Sequence, residues 1–416
     1  MRILVIGPQS VFPPVDGGKE GIFGAISILT RYADISYAYP AGVSGIDEGL
    51  SGYINAGIRP VPVPCATHED LGLIIKSTLG LRPYKFQKYC TPEIVNAFAS
   101  ELLGLEYDLI VCHHPHTVAL AERLCRLFKV KLPIILREHN IEYELVRSYR
   151  KNLGTLMRFL AWPFEVLTRK EEQSIWRRVY AVAMLTDFDL NLARSTDVNA
   201  QFFLAREGVP LPVKRSNKYP GRNAPLLVLL NPRATQSVAN LRDFINEIWI
   251  PARATSRELQ GIELHVTGVD QLTLGALVNI EASKLYENSI RALGFLPSLA
   301  ETFSSSLALV SPTYIGGGIR KKILEAMANQ IPVIATELDI STCEYFREGI
   351  NLLPMNTVKQ FISSVAQLRN DSLFWQEISS NVRITVEENA NWDLYAKALM
   401  GALSSVAPVV VTNAEI

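Results

Sequence analysis

The sequence predicts an α/β protein built from two open, mostly parallel sheets in tandem. Three observations lead there. Short apolar runs alternate with helix-like segments along nearly the whole chain, the pattern of βαβ units. The alternation breaks once, at 206–225, where REGVPLPVKRSNKYPGRNAP is rich in Pro, Gly, Asn and basic residues. The chain has 416 residues, and single cores stop growing at roughly 250–300 residues.

Strand candidates in the first half are RILVIG (2–7), ISYAYP (35–40), DLIVCHH (108–114), LPIILREH (132–139) and VYAVAML (179–185). Helical patterns lie between them, for example VALAERLCRLF (118–128). After the break, LLVLLN (226–231) and IELHVTG (262–268) restart the series, with the helical NLRDFINEIWIPARA (240–254) between them. SIRALGFLP, ALVSPTY and PVIAT continue it. The expected organisation is a doubly wound, Rossmann-like domain over 1–205 and a linker over 206–225. A second such domain follows over 226–390, then a C-terminal helix and loose tail over 391–416. Open α/β sheets bind ligands at the carboxyl ends of their strands, so a cleft between two such domains is the expected site.

Composition narrows the function classes. Hydrophobic residues make up 48% and charged residues 20%, as in globular proteins. Lys plus Arg and Asp plus Glu both number 41, so nothing demands a nucleic-acid partner. Cysteines 65, 90, 112, 125 and 343 are scattered and form no CxxC pair, which fits a reducing compartment. The opening MRILVIGPQS is too short in apolar residues for a signal peptide. No run reaches the ~18 apolar residues of a spanning helix. A cytoplasmic location follows as the expectation.

Residues 314–336, YIGGGIRKKILEAMANQIPVIAT, carry the densest signal. A strand ends, and Gly316, Gly317 and Gly318 follow. Glycine lets backbone amides approach an anion closely. Ile319, Ile323, Ala326 and Met327 share one helical face, so the glycines stand at a helix N-terminus, where amides and dipole favour phosphate. Arg320 and Lys322 fall in the first turn, the wrong end for cations on dipole grounds. A bound anion explains them. Glu325 lies opposite the apolar face and suits a ribose diol. Its other reading is a solvated i−4 or i−3 pair with Lys321 or Lys322.

This stretch resembles the donor-site signature of glycosyltransferase family 4, of the GT-B fold, and most closely its subgroup with GGGxRxKxLEAMA. The likeness extends to PPVDGGKEG (13–21), REHNIEYE (137–144), EEQSIWRRVYAVAMLTDFD (171–189), NLRDFINEIWIPARA and NW at 391–392. The resemblance implies a retaining, hexosyltransferase-type enzyme moving a sugar from a nucleotide-diphosphate sugar to a glycan or lipid-linked acceptor, in cell-surface polysaccharide synthesis. It implies Glu325 on the ribose, Gly316–Gly318 around the phosphates, and Arg320 and Lys322 neutralising the leaving diphosphate. No metal is then required, and TDFD (186–189) is the one Asp-x-Asp spacing noted.

On the acceptor side the resemblance implies Gly17 and Gly18 after the first strand, with Asp16, Lys19 and Glu20 as polar neighbours. His113, His114 and His116 follow another strand, with His113 the first choice to line the site. His139 is expected to bind or polarise the transferred sugar or acceptor, beside Glu138 and Asn140. Each of these has a plainer alternative: a turn after two prolines for the glycines, and hydrogen-bonded structural histidines.

The sequence also departs from the family. Many members carry Glu-x7-Glu, but Gly317 stands where the first acid belongs, so sugar identity does not carry over. LLNPRATQS replaces a glycine-rich loop, with Arg233 as a candidate diphosphate contact, and RSNKYPGRN replaces the usual entry to the second domain. These departures motivate two competing readings: a non-catalytic nucleotide-sugar-fold scaffold, or another GT-B enzyme such as a nucleotide-sugar epimerase. Finally, RSYRKNLGTLMRFLAWPFEVLTRK (147–170) interleaves cations with large apolar residues. It suits either the inner face of an anionic membrane or a buried helix with snorkelling cations.

Overall fold

The computed structural model describes residues 1–67, 82–151, 153–213, 218–315 and 320–404. The chain divides into two units: Met1–Gly208 together with the chain from Trp392 onward, and Val209–Asn391. Each is an α/β unit with one parallel sheet.

The first sheet has seven strands: β1 Arg2–Ile6, β2 Asp34–Pro40, β3 Ile58–Val63, β4 Leu109–His113, β5 Ile134–Glu138, β6 Ala181–Met184 and β7 Phe202–Leu204. Their spatial order is β3-β2-β1-β4-β5-β6-β7. Alternate residues of these apolar runs go to opposite faces. Leu4, Ile6, Ile110, Cys112 and Leu136 join one core, with Phe98, Leu124 and Trp176. Ile3, Val5, Leu109, Val111 and Ile135 join the other, with Ile22, Tyr395 and Leu399. Both faces are covered, which is why the strands read as continuous apolar runs rather than alternating ones. The helix Trp392–Ser404 closes the second face. It docks against the helix Gly17–Leu29 at Gly24, where a Cβ would lie 2.2 Å from the Trp392 ring. β3 is not among the strands expected above. Its sequence, IRPVPV, carries Pro60 and Pro62, which a sheet tolerates only at an edge, and β3 is an edge strand.

The second sheet has six strands: β8 Leu226–Leu229, β9 Leu264–Thr267, β10 Ile290–Ala292, β11 Ala308–Ser311, β12 Val333–Ala335 and β13 Leu353–Pro354. Their order is β10-β9-β8-β11-β12-β13. The expected helix over 240–254 is interrupted. An α-helix runs over Thr235–Phe244, a π-turn over Ile245–Trp249, and a second α-helix over Ile250–Thr255. Pro251 supplies the reason: its ring would clash with the carbonyl four residues back, and the wider turn makes room. All five cysteines are free thiols. Among the described residues, no helix is long and apolar enough to cross a membrane.

Candidate active site

In each sheet the strand order reverses once, between β1 and β4 in the first and between β8 and β11 in the second. Ligands of open α/β sheets bind outside the strand ends at such points. The segments singled out by sequence leave from these strands. FPPVDGGKEG follows β1, HHPHT leaves β4, LLNPRATQS leaves β8 and SPTYIGGG leaves β11. REHN leaves the neighbouring β5.

In the second unit, Gly316, Gly317 and Gly318 lie outside the described residues, but the backbone leading into them is pinned. Asn240 Oδ1 accepts from the N–H groups of Tyr314 and Ile315, both at 3.1 Å, and Asn240 Nδ2 donates to the Ile315 carbonyl. One buried amide thus replaces the ladder partners this loop lacks. On the other side Thr336 Oγ1 donates to the Thr313 carbonyl at 2.6 Å. The following helix is Lys321–Ala328, so Arg320 occupies its N-cap rather than its first turn. Ile323, Ala326 and Met327 are buried in the core as their spacing predicted, and Ile319 lies outside the described residues. Lys321 is also buried, which removes it from a solvated face. Glu325 remains half-buried on the other side of the helix.

Asp339 organises the cations. It is wholly buried and accepts from Ser311 Oγ at 2.6 Å and from Arg320 Nε at 3.2 Å. Burial holds its carboxyl above the usual range, against the pull of Arg320 and Lys322. Burial, opposed by Asp339 and aided by Arg320, brings the Lys322 ammonium down to about 8. Two cations beside one carboxylate leave a net positive charge at the helix N-terminus, in a setting of low dielectric. That is chemistry for an anion. Arg233, after β8, is exposed, and its backbone N–H caps on Asn231 Oδ1 at 3.1 Å.

The histidines of the first unit form a column. Tyr89, His116, His114 and His139 stack in turn, with ring centroids 4.7, 5.0 and 4.1 Å apart. His114 holds φ at +71°, unusual for a side-chain-bearing residue and found at sites the surroundings over-determine. Thr117 Oγ1 donates to the carbonyls of His113 and His114 and steadies this bend. His113 Nδ1 lies 3.0 Å from His139 Nε2, and Arg137 Nη1 lies 3.0 Å from the same atom. A guanidinium only donates, so His139 Nε2 is the acceptor and Nδ1 carries the proton. Burial lowers all four histidine pKa values, and Arg137 adds to the effect at His113, His114 and His139. His114 falls to about 3. These rings are neutral near pH 7, so His139 serves as a hydrogen-bond donor or acceptor, not as an acid.

Arg137 is buried and pairs through Nη2 with Glu207 Oε2 at 2.5 Å. Gly21 admits Glu207: a Cβ there would lie 2.3 Å from its Oε1. Neither Arg137 nor Glu207 was singled out in the sequence. Arg137 lies two residues before His139, whereas Glu207 reaches Arg137 from 70 residues further along the chain.

Several expected contacts take structural roles. Gly17 and Gly18 are the first residues of the Gly17–Leu29 helix, not a free loop, and Asp16 caps it by accepting from Lys19 N–H at 2.9 Å. Both glycines are exposed. Glu138 is buried and accepts from the Trp176 indole at 3.0 Å. Burial and the nearby Glu172 raise its carboxyl. Glu172 accepts the N–H groups of Glu142 and Tyr143 at 2.6 and 3.1 Å, capping the helix Glu142–Lys151. The Glu and Trp of the EEQSIW segment therefore hold the REHN turn in place. In TDFD, Thr186 caps its helix with Asp189, and Asp187 pairs with Arg206 at 2.9 Å. Asn140 is half-buried beside His139 in sequence.

Among the described residues, His114, His116 and Glu142 form the group whose ligand atoms come within 4.8 Å of one another. The acid was not foreseen, because it lies 26 residues beyond His116 in sequence. Lys85 Nζ sits 2.7 Å from both Glu142 oxygens and already supplies that carboxylate with a cation.

Residues 228–371 match the family model described as glycosyl transferases group 1. Solved structures share the fold over nearly the whole chain. The sucrose-phosphate synthase from Thermosynechococcus elongatus has a TM-score of 0.68 at 15% identity, covering 98% of this chain and 99% of that one. HepE from Anabaena, in complex with UDP-glucose, has a TM-score of 0.62 at 15% identity, covering 97% and 100%. The lipopolysaccharide outer core galactosyltransferase WaaB has a TM-score of 0.59 at 15% identity, covering 97% and 99%. None of the curated proteins matches the sequence.

Proposed function

We propose, from the match of residues 228–371 to the group 1 glycosyltransferases and the fold shared with the solved structures, that the chain is a retaining enzyme of that group whose second unit holds a UDP-sugar. The observation that carries this reading is the Arg320–Lys322–Asp339 cluster at the reversal point of the second sheet. We assign the ribose to Glu325, and the diphosphate to the amides of Gly316–Gly318 with Arg320 and Lys322. Asp339 is a positioning residue for Arg320. The choice of uridine rests on HepE, whose structure holds UDP-glucose. To the first unit we assign the sugar and acceptor side, with His139 as the group that polarises a sugar hydroxyl, and His113, Asn140, Gly17 and Gly18 around it. The acceptor is a glycan or lipid-linked saccharide of cell-surface polysaccharide synthesis.

In the transfer, the bond from the anomeric carbon to the diphosphate oxygen breaks. A bond from the acceptor oxygen forms on the same face. The acceptor proton passes to the departing phosphate oxygen, so no pair of carboxylates is needed. Arg320 and Lys322 stabilise the charge that builds on the diphosphate, the kind of preorganised electrostatic contribution that usually dominates. A neutral His139 suits its task, because it adds no competing cation beside an oxocarbenium-like centre.

The test is product analysis with a panel of UDP-, GDP-, ADP- and dTDP-sugars and a saccharide acceptor library. The expected result is UDP release coupled to a product of retained anomeric configuration, lost in Glu325→Ala and Lys322→Ala. Inverted product, or release of a free epimerised sugar without acceptor, would overturn the reading.

A further inference from the structure

The sequence leaves 147–170 with two alternatives, and over 153–160 the structure removes the buried one. The helix Glu142–Lys151 is followed by a short helix, Thr155–Leu160, and then by the long helix Trp162–Arg178. No residue of the short helix is buried. Every residue from Leu153 to Leu160 is exposed. Leu156 is 71% exposed, Phe159 74%, Leu160 59% and Trp162 54%, with Met157 and Phe164 close behind. A helix of six residues earns no stability from its own hydrogen bonds, and this one buries nothing against its own unit. Large contiguous apolar patches on a monomer mark an interaction surface.

The charge around the patch says what kind. Residues 147–170 hold six cations (Arg147, Arg150, Lys151, Arg158, Arg169, Lys170) against one carboxylate, in a chain with 41 of each sign. That carboxylate, Glu165, is engaged on both oxygens, by Arg147 at 2.8 Å and Arg150 at 2.6 Å, and Arg147 also pairs with Glu144 on its own helix, so the charge open to a surface is that of Lys151, Arg158, Arg169 and Lys170. Lys151 and Arg158 stand exposed on the apolar helix side, and Arg169 and Lys170 on the other. Beside Trp162 opens a surface pocket of about 430 Å3, lined also by Arg147, Glu165, Arg169 and Lys170. Its size and cations suit a phosphate-bearing headgroup.

We propose that this face docks on an anionic phospholipid bilayer. The Thr155–Leu160 helix lies in the interface with Leu156, Met157, Phe159 and Leu160 among the upper acyl chains, and Trp162 sits at headgroup level. The cations around it meet the negative surface, and the pocket at Trp162 takes one lipid phosphate. A protein partner is the weaker fit, because the apolar residues go all round a helix that has no buried side. A bilayer interface accommodates that, with cations reaching outward to the headgroups. The proposal stands apart from the donor assignment, since no residue of the candidate active site belongs to it.

The test uses the full chain, sedimented with vesicles of neutral phosphatidylcholine and with vesicles containing about 30% phosphatidylglycerol, a composition that gives a negative surface potential. The wild type is expected to pellet with the anionic vesicles and to be released by salt as the Debye length shrinks. Leu156→Gln with Phe159→Gln, and separately Arg169→Gln with Lys170→Gln, are each expected to weaken partition about tenfold or more. Because these side chains are exposed, thermal unfolding of both variants should match the wild type, which shows that they fold. Failure of the wild type to pellet with anionic vesicles, equal pelleting with neutral ones, or undiminished binding by folded variants would each overturn the proposal. So would concentration-dependent self-association that Leu156→Gln with Phe159→Gln disperses without any vesicle binding, since the face would then meet a second copy of the chain.

Discussion

The strand ends of the two sheets present opposite electrostatics. In the first unit, four histidines and a tyrosine stack or hydrogen-bond into a cluster of neutral rings, and the cations beside it include Arg137, matched by Glu207, Lys85, matched by Glu142, and Lys88 over the Tyr89 ring. In the second, Arg320 and Lys322 share a single buried carboxylate and keep surplus positive charge. A sugar hydroxyl needs positioned hydrogen bonds, and excess charge would only add desolvation cost. A departing diphosphate needs net cation. On the proposed assignment, the same sheet topology would serve two tasks by changing what leaves the strand ends.

The comparison can be broken at its most buried point. Arg137→Met leaves Glu207 without its partner in a dry setting, and breaking one side of a buried pair typically costs roughly 3–5 kcal/mol. Urea unfolding should show that loss. A loss below ~1 kcal/mol would mean that the pair is not the anchor of the histidine cluster. Replacing Glu207 as well, by Gln, should recover part of the loss.

The two strand ends should also differ in their response to pH. The folded histidine pKa values lie below the unfolded value, so the unfolded state binds protons first as pH falls. Stability is therefore fully present above about 6.5 and declines below it, with each neutral histidine adding roughly 1.4 kcal/mol per pH unit. His113→Asn should flatten that slope. Lys322 works in the other direction. As pH rises through about 8 its ammonium loses the proton, so nucleotide affinity should fall between pH 7 and 9, and Lys322→Arg should abolish this fall. Calorimetric titration with UDP across that range checks both statements.

A smaller effect is expected at Asn240. Its amide holds three backbone groups of residues 314–315. Asn240→Ala should cost about 1–3 kcal/mol through the unsatisfied groups left behind. It should weaken nucleotide binding without altering the pH slope that belongs to the histidines.

Much of this arrangement was legible in the residues, and what was missed has a common cause. The strands β1, β4, β5, β8, β9, β11 and β12 announce themselves because both faces of a parallel sheet are buried. β3 did not, since Pro60 and Pro62 argue against a strand unless its edge position is known. Arg320, Lys322 and Glu325 were visible as charges at defined helical spacing. Asp339, Asn240, Glu207 and Lys85 were not, because each meets its partner across 19, 74, 70 and 57 residues of chain. Local spacing signals do not carry such contacts. Gly17 and Gly18 read as a loop because glycine disfavours helices, yet the Asp16 cap starts a helix on them.

The most direct measurement is thermal unfolding of the wild type and of Glu325→Ala with UDP, GDP, ADP and dTDP. At a ligand concentration 100 times Kd, binding adds ~2.7 kcal/mol of stability. The expected result is stabilisation of the wild type by UDP, with the shift lost or much reduced in Glu325→Ala. No shift with any of the four nucleotides at millimolar concentration, or an undiminished shift in Glu325→Ala, would contradict the assignment of the ribose and diphosphate to the second unit.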